Sequence, residues 1–482
     1  MKRWIGLSSA MGLALALMAI GVIGLMQNSG PQVVAAPNAV QLAVAHLAPF
    51  DKDPNTAVTV TVKGLGPVLT DIEYGETSQG YETLPFGGSY EVGLVPAGES
   101  SPVLTKTLTV VDGKAYTAVA VGGANGQDLD ILLLEDDISP PSSGYAKVRV
   151  GHLAPFTSAI TDTLADVRTQ DDSMTILDDV KFGEVMTSYL SLPADTYDLK
   201  ITSADGEAIL IDLYPVPLND GDILSVFATG DGGNQPLGAF AMYNSPDDTF
   251  LPLAASLQLA HLAPFPMSAT AGVTVTLDAT PILTDFVFAD STEYLPVVAG
   301  VDHDVKVYAP GFSGPVMTAT VNLNQAQGYA AVATGNLSKQ PLELILLENE
   351  AAMAGTAKVR IGHLAPFDSV LSNTKADVRL QDGTLVAGLD DVPFGTVSGF
   401  LPLAAGIYDL KITNAANTAT LIDLFPFTLK NGDILSVFAV GDIDATTPPL
   451  GAFKLPPGEK GELMPLTAQY LFMPLVFKNA AP

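Results

Sequence analysis

Residues 147–156 read Lys-Val-Arg-Val-Gly-His-Leu-Ala-Pro-Phe, and residues 358–367 read Lys-Val-Arg-Ile-Gly-His-Leu-Ala-Pro-Phe. Val148, Val150 and His152 are spaced two apart, as are Val359, Ile361 and His363, so each run has the period of a strand and carries its histidine on the apolar face. The closing pentapeptide His-Leu-Ala-Pro-Phe occurs four times, from His46, His152, His261 and His363, with Pro49, Pro155, Pro264 and Pro366 at its fourth position. The copies lie 106, 109 and 102 residues apart. That spacing is too long for a solenoid unit and suits a small domain with its own core.

The copies alternate in kind. Leu218–Asp231 and Leu429–Asp442 agree at 11 of 14 positions at an offset of 211, the offset that also separates His152 from His363. Tyr116–Gly122 (YTAVAVG) pairs likewise with Tyr329–Gly335 (YAAVATG). The order is A-B-A-B, which implies duplication of a two-domain unit and a geometric pairing of each A with the B that follows it.

Within each copy the apolar period is two. Tyr197, Leu199 and Ile201 share a face, as do Tyr408, Leu410 and Ile412, Tyr90, Val92 and Leu94, and His303, Val305 and Val307. Turn signals such as Phe182-Gly183, Phe394-Gly395, Asp220-Gly221 and Asn431-Gly432 separate these runs. No amphipathic helix is evident after the leader. The expected fold class is all-β: four tandem antiparallel β-sandwiches of immunoglobulin-like kind, with roughly seven to nine strands each. The expected extents are A1 40–136, B1 146–244, A2 255–349 and B2 357–455, then a tail 456–482. Asp136–Ala146, Asn244–Leu253 and Asn349–Ala357 are expected as short linkers, giving a monomeric, semi-rigid rod.

Residues 1–35 read as a signal peptide. Lys2 and Arg3 precede an apolar stretch from Trp4 to Met26, and Val33-Val34-Ala35-Ala36 supplies small residues for cleavage after Ala35. The expected location is extracellular or at the cell surface; retained, the leader would anchor the chain in a membrane. There is no cysteine, so neither a lipoprotein anchor nor a disulfide is possible, and each sandwich depends on its apolar core. The formal charge of −30 repels nucleic acid and anionic headgroups and favours cations and basic partners.

The starts Lys147–Pro155 and Lys358–Pro366, followed by Ala-Asp-Val-Arg from Ala165 and Ala376, Phe-Gly from Phe182 and Phe394, and Leu-Pro-Ala-x-x-Tyr from Leu192, resemble the bacterial domain of unknown function 4397 (DUF4397). All four copies fit its outline over roughly residues 40–455. Family members carry an aspartate after His-x-x-Pro, where this chain has Phe50, Phe156, Phe265 and Phe367. The resemblance implies a sandwich-like protein of the cell envelope and no assigned chemistry. The closing YLFMPLVFKN resembles a short C-terminal signature of exported Chloroflexota proteins.

The repeated histidines are the first candidates for chemistry, since imidazole is the commonest metal ligand and general base near neutral pH. Parity instead places them with the core residues, each bonded to a loop carbonyl. Zinc would need three or four nitrogen or sulfur ligands, and a copy offers one histidine, or two in A2. The nearest approach to a nucleophile elbow, Gly311-Phe-Ser-Gly-Pro315, fails at its last position. Calcium is the remaining metal, with Glu135, Asp136, Asp137, Asp178, Asp179, Asp390 and Asp391 as candidate oxygen ligands, although no loop follows the Asp-x-Asp-x-Asp-Gly pattern. Asp166–Arg168 and Asp377–Arg379 are expected as strand-surface charges. The only tryptophan, Trp4, lies in the leader, so the mature chain lacks the strongest aromatic platform for sugars.

The expected function is that of an exported, non-enzymatic envelope, adhesion or structural protein contacting a cell-surface protein or polysaccharide. The alternative is a glycan- or calcium-binding extracellular array. Repetition favours the first, because multivalent contact gains from every added copy.

Overall fold

The computed structural model describes residues 39–467 apart from 53–54, 79, 244–247, 266–271, 351–354 and 444–447. Residues 1–38, which include the expected signal peptide, and the apolar tail Tyr470–Phe477 lie outside the described residues. The described residues are strands and turns with two short 3-10 turns, Ile160–Thr163 and Leu371–Asn373. No described helix is long and apolar enough to cross a membrane. The fold class is all-β, and the chain divides into two compact units, 1–253 and 254–482.

In the first unit, A1 packs an outer sheet against an inner one. The outer sheet has the order Gly66–Ile72, Val58–Val62, Gly88–Pro96, Leu104–Val110; the inner has the order Glu82–Leu84, Val40–His46, Ala115–Val121, Asp130–Asp136. Between them lie Val58, Val60, Leu69, Ile72, Leu94 and Leu108 among others. B1 repeats the plan. Its inner sheet runs Leu190–Pro193, Tyr145–His152, Ile223–Thr229, Gly238–Tyr243, Thr249–Phe250, and its outer sheet Thr175–Val180, Ala165–Thr169, Leu199–Ser203, Ile209–Asp212. The second unit is built the same way from A2 and B2.

One pairing in each inner sheet is parallel. Val40–His46 runs parallel to Ala115–Val121, and Tyr145–His152 parallel to Ile223–Thr229; the remaining ladders are antiparallel. A parallel pair needs a crossover, and here the whole outer sheet serves as that connection.

The inner sheets are buried on both faces. All seven residues of Ala115–Val121 are buried, and Phe227, Phe240, Phe438 and Phe453 are fully enclosed. In the first unit Ala43, Ala45, Leu47, Val119, Val121, Leu153, Phe227, Phe240 and Met242 form one cluster drawn from A1 and B1 together. Ala260, Leu262, Ala330, Val332, Leu364, Phe438, Val440 and Phe453 do the same for A2 and B2. Each unit is therefore a stack of four main sheets with three apolar layers, plus one two-stranded ribbon in its B domain (Thr196–Tyr197 with Val216–Pro217, Gly406–Tyr408 with Phe427–Leu429), and the middle layer fuses A to B.

The sandwiches reach further along the chain than the end of the obvious alternation. Thr249–Phe250 extends the inner sheet of B1, and Leu251 and Leu253 pack on its core. Glu462–Leu463 and Met464 do likewise in B2. The stretches expected as a linker and as the start of the tail thus carry core residues. Asp136 and Asn349, expected at the edges of linkers, are buried beside the joint.

Candidate functional site

The His-Leu-Ala-Pro-Phe copies lie at the ends of inner-sheet strands, where alternation sends successive side chains to different layers. His46, His152, His261 and His363 are 2–5 % exposed and turn into their own sandwich. Leu47, Leu153, Leu262 and Leu364 are fully buried in the fused layer. The following Ala48, Ala154, Ala263 and Ala365 return to the sandwich core. One pentapeptide thereby ties two apolar layers together.

Three of the imidazoles are fully bonded. Nε2 of His46, His152 and His363 meets the carbonyl of Thr56, Thr163 and Thr374 at 2.8, 2.7 and 2.7 Å. The amides of Ala48, Ala154 and Ala365 donate to Nδ1 at 3.3, 3.3 and 3.4 Å. An Nδ1 that accepts leaves the proton on Nε2, so each ring is neutral with no lone pair to offer a metal. Burial holds His46 and His363 down at about 4 and lowers His152 as well. His261 is also held at about 4 by burial, against a smaller opposing effect of the Phe265 backbone. Its counterpart of Thr56 is Ala271, outside the described residues.

The phenylalanine of the motif stacks on its histidine. Ring centroids are 5.5 Å apart for His46 and Phe50, 5.5 Å for His152 and Phe156, and 5.3 Å for His363 and Phe367. An aspartate at this position would place a charge against that buried ring. The aromatic-Gly turn (Tyr74-Gly75, Phe182-Gly183, Phe394-Gly395) is bound to the same motif, since Gly75, Gly183 and Gly395 donate to the carbonyls of His46, His152 and His363, each at 2.8 Å. These glycines have φ of 80°, 85° and 84°, and Ala289, which makes the equivalent bond to His261, is held at 62°.

Sequence reasoning missed the partners that lock the two motifs of a unit to each other. In the first unit Asn125 donates to the carbonyls of Pro155 and Asp231 at 2.9 and 3.0 Å. From the opposite side Asn234 donates to the Pro49 carbonyl and Gln235 to the Asp51 carbonyl, both at 3.0 Å. In the second unit Gln340 reaches the Asp368 carbonyl at 2.8 Å, and Asn336 reaches the Asp442 carboxylate at 2.9 Å. The available signal was that YTAVAVG and ILSVFAT carry no charged residue and are apolar on both parities apart from small hydroxyl side chains, which marks strands buried on both faces.

A polar cluster crosses the same layer. Arg149 Nη2 donates to Asp136 Oδ1 at 2.6 Å, with both side chains almost fully buried, and its other nitrogens reach the Glu135 carbonyl and Ser225 Oγ at 3.0 Å each. Asp136 Oδ2 accepts from Tyr81 at 2.9 Å and Thr117 at 2.7 Å. In the second unit Asn349 replaces the aspartate. Arg360 donates to its Oδ1 at 2.8 Å, and burial brings this guanidinium down to about 10 against the opposing pull of Tyr294 and Glu350.

The calcium candidates fall into separate arrangements. Glu135 pairs with Lys114, Asp136 with Arg149 and Asp137 with Lys147, so this acidic run is divided among three cations. The bonds from Lys147 and Ser139 hold the Asp137 carboxyl down at about 2. Asp178 and Asp179 converge with Asp166, their ligand atoms all within 4.8 Å. Asp166 is fully buried rather than a surface charge, and its two oxygens accept from Arg168 at 2.6 Å and the Asp179 amide at 2.8 Å. Asp377 repeats this with Arg379 and the Asp391 amide, and Lys375 lies 3.3 Å from Asp391. In both copies a guanidinium therefore engages one oxygen of the buried aspartate and a backbone amide the other.

A profile of the family described as domain of unknown function (DUF4397) matches residues 40–163, 266–371 and 368–453. These segments cover more than half of the chain, which belongs to this family. No curated protein matches the chain. Among solved structures, the Bacillus anthracis TIE protein is 10 % identical, with 84 % of this chain and 68 % of that chain covered at a TM-score of 0.14. BcpA, the major pilin subunit of Bacillus cereus, is also 10 % identical, with 84 % and 98 % covered at a TM-score of 0.11. At those scores neither likeness carries an argument.

Proposed function

We propose that this protein is an exported, non-enzymatic component of the cell envelope, in which each fused A-B pair presents one contact surface to a partner protein or polysaccharide. The observation that carries the reading is the use of the repeated motif. Three of its four histidines, the residues best suited to chemistry, are neutral and engaged by loop carbonyls and backbone amides, while its leucines fill the layer between sandwiches. A chain that commits its most repeated residues to building a rigid two-domain body, and then duplicates that body, has the design of a spacer or multivalent binder rather than of a catalyst. The N-terminal basic and apolar leader and the acidic surface fit export.

Deletion of one unit tests the proposal. Cells or beads carrying the full chain should attach to the partner surface far more than twice as strongly as those carrying residues 39–253 alone, since avidity multiplies. Equal attachment by the single unit, or hydrolase activity in the purified chain, would contradict it.

A further inference from the structure

Between the two sheets of A1 lies a cavity of about 90 Å³, walled by Val60, Leu69, Ile72, Val92, Leu108 and Ile131 among other apolar side chains. Leu65, which is exposed, and the half-buried Glu82 and Leu84 complete the wall and mark its open side, between the edge strands Gly66–Ile72 and Glu82–Leu84. Apolar cavities of this kind stay dry, and leaving one unfilled costs stability.

The same fold elsewhere in the chain fills this space. In A2 the corresponding cavity is about 30 Å³. Strand register identifies the changes. Val58 pairs with Ile72 in A1 where Val273 pairs with Phe286 in A2, and Leu42 lies opposite Glu82 where Leu257 lies opposite Leu295. A1 thus has a smaller side chain in the core and an acid at the rim, where its sibling has an aromatic ring and a leucine.

We propose that the A1 cavity is a binding site for the alkyl chain of a small amphiphile whose positively charged or hydrogen-bond-donating head group is held at Glu82. The volume is below the ~150 Å³ of an apolar cavity that admits benzene, which limits the occupant to a short chain of about three or four carbons. Burial holds the Glu82 carboxyl above its ordinary range, and a cationic head group would offset that loss of hydration. This site is independent of the contact surface proposed above.

Titration calorimetry of the purified full chain with butyltrimethylammonium, butan-1-ol and butanoate tests it. Saturable binding in the order cation, alcohol, anion is expected. Ile72→Phe, which installs the A2 residue, should weaken binding of the first two by roughly tenfold or more while melting no lower than the parent. Glu82→Leu, the other A2 residue, gives a second occluded variant that leaves the core untouched. Absence of saturable binding, binding unchanged in both variants, or preference for the anion would overturn the proposal. Co-sedimentation with phosphatidylcholine vesicles separates the sources of the chain. Sedimentation lost on Ile72→Phe assigns it to the chain end of a membrane lipid, and butanol binding without cavity-dependent sedimentation assigns it to a free short-chain amphiphile.

Discussion

At the scale of single residues, the buried histidines make the stability of this protein depend on pH. In the unfolded chain a histidine takes up a proton below about 6.5, whereas His46 and His363 in the fold hold out to about 4. Between those values the unfolded state binds protons that the native state refuses, so stability falls as pH drops through this window. The slope is about 1.4 kcal/mol per pH unit for each such histidine. His303 acts in the opposite sense. Burial lowers its affinity for a proton, but the Val298 carbonyl and the Asp278 carboxylate 2.6 Å from Nδ1 raise it overall, so its contribution is present at low pH and lost as pH rises through its folded value. His363→Gln should therefore cost about 1–3 kcal/mol at pH 7 through the lost bond to Thr374. It should also flatten the acid limb relative to the parent, which urea unfolding at pH 7 and pH 5 would measure. An unchanged slope, or stoichiometric zinc or copper released by the substitution, would contradict the neutral, internally bonded ring.

At the scale of strands and layers, the cross-layer arginines provide a comparison made within the chain itself. Asp136→Ala strands a buried guanidinium and should cost about 3–5 kcal/mol. Asp136→Asn, which copies Asn349, should cost distinctly less because the amide oxygen still accepts from Arg149. Thermal unfolding of the two variants reads the difference, and equal losses would mean that charge rather than hydrogen bonding holds the cluster. Strand period made much of this level legible in the sequence: Val148, Val150 and His152 do face their own core, and the inward Tyr197 and Tyr408 do pack against theirs. The other face of the same strands was not legible. Arg149 and Gly151 alternate with those core positions, and the arginine is buried against Asp136, while a Cβ on Gly151 would lie 2.7 Å from Val185 and 3.0 Å from Phe227. Alternation reports which residues share a face and is silent about what covers the opposite one. The parallel pairings escaped notice for a related reason, since a strand's own pattern does not name its partner. Thr56, Thr163 and Thr374 were missed because a carbonyl acceptor places no demand on its own side chain.

At the scale of the molecule, the unit of folding is the A-B pair. Each sandwich has its own core, as the sequence implied, but a third apolar layer made jointly by A and B leaves neither complete alone. An isolated A1 would expose Leu47, Val119 and Val121, all now buried, and lose the bonds that Asn234 and Gln235 make to its motif loop. Apolar patches of that kind are seldom left open on soluble domains. Duplication of the pair then explains why the chain repeats as A-B-A-B rather than as four like copies, because the pair is the smallest piece that buries its own surface. Calorimetric unfolding of residues 39–253, compared with residues 39–138 alone, measures this most directly. The account requires one cooperative transition for the pair and an aggregated or unfolded isolated A1. Two separate transitions in the pair, with isolated A1 melting at the temperature of one of them, would contradict it.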